Sequence, residues 1–197
     1  AGRFEQARFI HLIRDPRNRA LSAQAAWGAD PYLSCEEWRI RVARAREAGL
    51  ALGPRYLEVA YEALTDDSEG VLRSACELLG IEFEPSMLTL SRPAEQHRTT
   101  SESRRSTAVL KSDTKRFLDV LPAATVKRME ELTEPLAGQL GYPSTQGVTA
   151  CRPLTPRERV PRLLKDRTNK ARFFIRRWGT VDGVAHMWRR ARVRMVT

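Results

Sequence analysis

The chain has 197 residues, of which 42% are hydrophobic and 29% are charged, and its formal net charge is +10. That length suits one folded domain with an extension, and the composition is ordinary for a globular protein. The chain contains no run of roughly 18 apolar residues, so the sequence predicts no membrane-spanning helix. Three widely spaced cysteines favour a reducing, cytoplasmic compartment over a disulfide framework.

The charge is concentrated at the C-terminal end of the chain. Residues 152–197 contain 14 Lys and Arg against Glu158, Asp166 and Asp182, a balance of +11, so the remainder sums to −1. This asymmetry predicts two parts. Residues 1–150 would form a partial domain, and residues 151–197 a basic amphipathic helical extension.

The most informative stretch lies near the N-terminal end. Phe9 to Ile13 form a short apolar run that predicts a largely buried strand. Asp15 and Pro16 are typical of a helix start, and the helix is expected to reach about Trp27. Arg14, between strand and helix, predicts an anion site that combines a guanidinium with free N–H groups of the helix N-terminus. Ser22, two turns into the helix, could add a hydroxyl donor.

Further elements follow in order along the chain. A capping-box pattern predicts a helix from near Cys35 to about Leu50. A second strand is expected over residues 56–61, followed by a helix that ends at Gly80. Apolar residues at helical spacing predict another helix over residues 126–140. The extension should begin as a helix near Pro156.

Several of these segments resemble the sulfotransferase family. The Arg14 and Ser22 spacing across a strand-to-helix turn is similar to that family's 3′-phosphate-binding segment. Tyr61-Glu62-Ala63-Leu64 resembles a second family motif, with Ala63 in place of an acid, and residues 140–142, Leu-Gly-Tyr, resemble a family C-terminal end. The resemblance implies an α/β fold with a parallel sheet flanked by helices, P-loop-like, and 3′-phosphoadenosine 5′-phosphosulfate as co-substrate, without a metal. Arg14 and Ser22 would hold the 3′-phosphate, and Tyr61 would be either a base contact or a core residue.

A further part of the nucleotide site is expected between residues 91 and 117. The polar stretch 91–108 predicts a long loop, which could act as a lid. Aligning Phe117 with a Trp of the family places Lys111 at the Lys of its phosphate clamp. The other two clamp residues are not matched, so the clamp would rest on Lys111 or be relocated to Arg104 or Arg105.

Two parts of a complete sulfotransferase are not visible in the sequence. The glycines do not form the Gly-rich loop that holds a 5′-phosphosulfate. The catalytic base is not assigned, because His11 lies inside the predicted strand and His97 lies in a polar loop. The chain is therefore expected to be a fragment, or C-terminal portion, that retains the 3′-phosphate-binding half of the site.

The resemblance implies transfer of a sulfuryl group to a hydroxyl or amine acceptor when the domain is complete. An alternative from a different class is a non-catalytic binding protein whose basic tail contacts an anionic membrane surface or a polyanion. The tail could also simply pack against the domain and leave its charges in water. The sequence does not decide between these alternatives.

Overall fold

The computed structural model describes residues 6–89 and 116–196. Strand β1 spans Phe9–Ile13 and helix α1 spans Pro16–Trp27, as predicted. The Asp15 carboxylate accepts a hydrogen bond from the backbone N–H of Arg17, and Gly28 ends the helix with a φ of 64°. A side-chain cap and a left-handed glycine thus define α1 at its two ends.

Helix α2 spans Pro31–Leu50, so it begins four residues before the predicted start at Cys35. The Asp30 carboxylate accepts hydrogen bonds from the N–H groups of Tyr32 and Leu33. Asp30 and Pro31 therefore repeat the Asp-Pro start of α1. This cap precedes the predicted capping box, which lies within the helix.

The second unit repeats the strand-to-helix order. A short 3₁₀ turn, Gly53–Arg55, precedes strand β2, Tyr56–Ala60, and helices α3, Tyr61–Asp66, and α4, Ser68–Leu79, follow. The two strands are parallel, with Phe9 opposite Tyr56 and Ile13 opposite Ala60. The α/β architecture expected from the sequence is confirmed.

The burial predicted for β1 is wrong for most of the strand. Ile13 is 4% exposed, whereas Leu12 is 51% exposed and Phe9 and Ile10 are also exposed. Within the described residues, β1 pairs with β2 along one edge. The strand is therefore buried where it packs against α2 and open to solvent on its other face.

The predicted helix over residues 126–140 is two helices. A 3₁₀ turn, Pro85–Leu88, is followed after residues 90–115 by α5, Arg116–Val120, then α6, Ala123–Thr133, and α7, Leu136–Gln139. Pro135 separates α6 from α7. Proline has no N–H to donate to the preceding turn, so α6 cannot continue through it.

The core lies on both sides of α2. One group of buried side chains joins β1, α2 and the end of α7, and a second joins α1, α2 and α6. Their members are Ile13, Trp38, Val42, Ala137 and Tyr142 in the first group, and Ala20, Cys35, Met129, Leu132 and Leu154 in the second. Helix α2 thereby holds the β1–α1 turn in place.

Helix α8 spans Pro156–Val196 and is interrupted at Gly179, whose backbone angles are not helical. Its start agrees with the expected start of the extension. Leu154, just before it, is buried in the second core group, and Arg128 of α6 lies 3.2 Å from Glu158. The division of the chain at residue 150 stays a prediction. Across the described ranges, no helix combines the length and apolarity needed to cross a bilayer.

Candidate functional site

Three of the four predicted site residues meet at the end of β1. Arg14 Nη1 donates a hydrogen bond to the Ser22 hydroxyl oxygen at 3.3 Å. The Arg14 guanidinium carbon lies 4.5 Å from the centre of the Tyr61 ring, a cation–π geometry. The strand-to-helix turn supplies Arg14, α1 supplies Ser22, and the first residue of α3 supplies Tyr61. We call these three residues the Arg14 cluster.

The Arg14 guanidinium keeps an unused donor. Its Nε is buried and has no hydrogen-bond partner among the described residues. Leaving a buried donor unpaired costs free energy, so such a group is an indication of a missing ligand or water. Trp38 Nε1 donates to the Arg14 carbonyl oxygen at 3.0 Å and so fixes the backbone from which the side chain extends.

The helix N-terminus beside Arg14 differs from the prediction. The Asp15 N–H donates to Glu62 Oε1 at 3.1 Å, and the Arg17 N–H donates to the Asp15 carboxylate at 2.8 Å. Two backbone donors at this turn are thus already used by carboxylates of the chain. An anion at this turn would depend on the side chains of Arg14 and Ser22 rather than on these N–H groups.

Glu62 joins the Arg14 turn to the C-terminal part of the domain. The Tyr142 hydroxyl lies 2.8 Å from Glu62 Oε2 and 3.2 Å from the Ile13 carbonyl oxygen. Burial raises the pKa of Tyr142, and the nearby Glu62 carboxylate raises it further. The hydroxyl therefore stays protonated and can act as a donor. Sequence reasoning noted both motifs that contain these residues but not their contact.

A second network, made of buried ion pairs and hydrogen bonds, holds the first turn of α1. The sequence analysis did not identify it. Arg17 pairs with Asp15 at 2.7 Å and with Glu130 at 2.6 Å, and all three side chains are buried. Glu130 also accepts hydrogen bonds from the Ser144 hydroxyl and from the backbone and side chain of Thr145. Burial raises the pKa of Glu130, but these hydrogen bonds outweigh it and the net pKa is lowered.

Lys111, the fourth predicted site residue, lies outside the described residues, as do Arg104, Arg105 and His97. Phe117, the residue aligned with the Trp of the clamp, is described and fully buried. Its N–H donates to Asn18 Oδ1 at 3.2 Å, and the Arg17 guanidinium carbon lies 4.2 Å from its ring centre. The anchor of the predicted clamp thus sits against the first turn of α1.

His11 lies away from the Arg14 cluster. Its Nδ1 is 2.7 Å from the Tyr56 hydroxyl, which donates to Glu58 at 2.9 Å, and Arg46 Nε contacts both Glu58 oxygens at 3.0 Å. His11 precedes Arg14 by three residues of extended chain, about 10 Å. His11, which lies inside the strand as expected, is thus held by a chain of hydrogen bonds.

The Arg14 cluster brings together three kinds of binding group. It offers a guanidinium, a hydroxyl and an aromatic ring, which suit a phosphate group next to a planar base. Among residues 6–89 and 116–196, no group of three or more His, Cys, Asp or Glu side chains is arranged to hold a metal ion. The fold and the Arg14 cluster define an α/β protein with a cationic strand-to-helix turn.

Comparisons with known proteins agree with this class. The model of the sulfotransferase family matches residues 2–85, which include β1, α1, α2, β2 and α4. A solved structure, the sulfotransferase domain from the Synechococcus PCC 7002 olefin synthase, is similar at 27% identity with a TM-score of 0.53. The alignment covers 67% of this chain and 50% of that domain, so the chain spans about half of the domain's length. No curated protein matches. Over the matched residues the chain is therefore similar to the sulfotransferase family.

Proposed function

We propose that the Arg14 cluster binds the 3′-phosphate of 3′-phosphoadenosine 5′-phosphosulfate. The observation that carries the proposal is the geometry around Arg14: one nitrogen contacts the Ser22 hydroxyl, and a second, Nε, is buried without a partner. A phosphate oxygen can accept from both a guanidinium and a hydroxyl. The similarity to the sulfotransferase family, whose members use this nucleotide as sulfuryl donor, supports the same ligand.

Tyr61 would contribute in two ways. Its ring stacks against the Arg14 guanidinium and so restricts where that group can point. The same ring, partly exposed at the end of β2, is a surface against which the nucleotide base could pack. Lys111, six residues before the buried Phe117, would add a second cation to the 3′-phosphate.

The proposed reaction is sulfuryl transfer to a hydroxyl or amine acceptor. The acceptor oxygen or nitrogen attacks sulfur, the bond from sulfur to the donor phosphate breaks, and a base takes the acceptor's proton. The leaving phosphate needs donors positioned where its charge develops. The described residues provide a hold on the nucleotide, and no Gly-rich phosphosulfate loop occurs in the sequence. We therefore propose that this chain supplies the 3′-phosphate half of the donor site.

Isothermal titration calorimetry with two nucleotides tests this proposal. Adenosine 3′,5′-bisphosphate carries the 3′-phosphate, and adenosine 5′-monophosphate lacks only that group. Because charge-assisted hydrogen bonds are each worth about 1.5–3 kcal/mol, the bisphosphate should bind at least roughly tenfold more tightly. Equal affinities in a chain shown to be folded by circular dichroism would contradict the proposal.

A further inference from the structure

The part of helix α8 before Gly179 has two faces with different roles. Its inward face is attached to the domain: Asp166 accepts a hydrogen bond from the Asp30 N–H at 2.9 Å, and Arg162 pairs with Asp30 at 3.2 Å. Asn169 donates from its side-chain amide to the Gly28 carbonyl oxygen at 3.3 Å. The loop between α1 and α2 thus holds the helix by a row of polar contacts.

The acidic side chains of this part of α8 are used in internal contacts. Glu158 pairs with Arg128, and Asp166 pairs with Lys170 at 2.6 Å in addition to its contact with Asp30. Before Gly179, the helix therefore offers no unpaired carboxylate to offset the cations on its other side. Its outward face is strongly positive.

That outward face also carries an apolar row. Val160, Leu164, Ala171 and Ile175 follow one another at spacings of four, seven and four residues, which places them on one side of a helix. Val160 is 55% exposed and Leu164 is 61% exposed. Val160 and Leu164 thus remain open to solvent after the inward face has docked, and Ala171 and Ile175 remain partly exposed.

Cations border the row on both sides. They are all exposed, and within the described ranges none of them makes an ion pair: Arg157, Lys165, Arg167, Arg172 and Arg176. We call the apolar row and these five cations the outward face of α8. An apolar row bordered by Lys and Arg is the pattern of helices that lie in the interface of a bilayer.

We propose that the outward face of α8 docks on an anionic lipid surface, with the helix parallel to the membrane plane. Charge complementarity favours anionic lipid headgroups for the five unpaired cations. The apolar row favours a bilayer over a nucleic acid or an acidic glycan, because only the bilayer offers Val160 and Leu164 an apolar environment. Docking leaves the inward contacts with Asp30 and Gly28 intact, so the domain stays attached while the surface is bound.

This proposal does not depend on the nucleotide site. The Arg14 cluster lies on the turn after β1, on α1 and on α3, and the outward face of α8 points away from the elements that α8 contacts. Loss of nucleotide binding would therefore leave membrane docking unchanged, and the reverse also holds. The two proposals fail separately.

Sedimentation with vesicles tests the proposal, using the full chain and vesicles of phosphatidylcholine with or without about 30% phosphatidylserine. We expect at least roughly tenfold stronger partitioning onto the anionic vesicles and a loss of binding at high salt. Equal partitioning onto neutral and anionic vesicles, or no binding to either, would overturn the proposal.

Three double variants separate the contributions. Arg167→Gln with Arg172→Gln should weaken binding about tenfold or more, because each cation near an anionic surface contributes severalfold. Val160→Asn with Leu164→Asn should weaken it severalfold while keeping every charge. Arg41→Gln with Arg44→Gln removes the same charge from exposed positions of α2 and should leave binding nearly unchanged.

The apolar variant decides between lipid and polyanion. If it binds anionic vesicles as tightly as the wild type while heparin or duplex DNA competes fully, the outward face is a polyanion site and the proposal is wrong. Circular dichroism of each variant controls for folding, and Leu164 and Val160 are exposed enough that their replacement should not unfold the helix.

Discussion

Arg14 and Ser22, eight residues apart in sequence, lie within hydrogen-bond distance, with Arg14 Nη1 3.3 Å from the Ser22 oxygen. The contact leaves the Arg14 Nε buried and unpartnered among the described residues. A buried donor left without a partner costs free energy, so packing alone does not account for this arrangement. Under the proposed function, the pair supplies two donors to one phosphate.

We expect Glu130→Gln to destabilise the protein by about 3 kcal/mol. Glu130 is almost fully buried and accepts from Arg17, Ser144 and Thr145. A neutral amide would leave part of the Arg17 charge uncompensated and would present an N–H₂ group to donors. Urea denaturation monitored by circular dichroism measures the change.

The same substitution at an exposed ion pair provides its control. Glu69 and Arg73 lie 2.6 Å apart on α4, but both side chains are more than half exposed. Glu69→Gln should cost less than about 1 kcal/mol. Equal effects of the two substitutions would show that the Glu130 network contributes no more than a surface pair.

Gly49→Ala should destabilise the protein by about 1–3 kcal/mol. A Cβ atom at Gly49 would lie 2.2 Å from Cε2 of Tyr56, so the ring would have to move. That movement would break the contacts that Tyr56 makes with His11 and Glu58. The midpoint of urea unfolding gives the cost.

A double variant identifies the cause of the Gly49 effect. With Tyr56→Ala already in place, the ring is gone and Gly49→Ala should cost much less than it does alone. Additive costs would mean that the strain arises elsewhere than at the ring.

We expect stability to fall through His11 as the pH is lowered from about 7 to below the ordinary His pKa of 6.5. Burial, partly offset by Glu58 and reinforced by Arg46, lowers the pKa of His11 from its ordinary value of 6.5. The folded state then binds fewer protons than the unfolded state just below pH 6.5. The stabilising contribution is complete above that value and is lost as the pH falls through the lower pKa of the folded state.

Unfolding midpoints of the wild type and of His11→Gln across this range test the prediction. The difference in stability between them should shrink as the pH falls, because only the wild type has the His11 titration. His97 and His186 are present in both chains, so their contributions cancel. A pH-independent difference would contradict the prediction. Glu130, with a lowered pKa, stabilises the folded state fully above its ordinary value of 4.5, so its contribution changes with pH only below that value.

Local signals were sufficient to predict the elements around the site. Asp15, Pro16 and Gly28 defined α1 because caps act over a few residues. The start of α2 was misplaced because Asp30 and Ser34 are both able to cap, and the choice depends on contacts such as that of Asp30 with Asp166. Pro135 is a helix breaker in the sequence, but the apolar periodicity continues across it and so predicted a single helix over residues 126–140.

Long-range contacts could not be predicted in the same way. Tyr142 meets Glu62 across 80 residues, and Glu130 meets Arg17 across 113 residues. Nothing in the local pattern around these residues specifies the partner. One of the two carboxylates at the start of α1 has a similar origin, since Glu62 comes from the second strand-to-helix unit, whereas Asp15 is local. The prediction of free N–H donors beside Arg14 was therefore wrong. The prediction that placed Arg14 and Ser22 at the same site agrees with their contact.

The most direct test of the nucleotide site is the affinity ratio of adenosine 3′,5′-bisphosphate to adenosine 5′-monophosphate, measured by calorimetry in the wild type, in Arg14→Ala and in Arg73→Ala. We expect a ratio of at least roughly tenfold in the wild type and in Arg73→Ala, because the cation of Arg73 is exposed and paired on α4. In a folded Arg14→Ala chain the ratio should fall close to one. An unchanged ratio in that variant would contradict the assignment of the 3′-phosphate to Arg14.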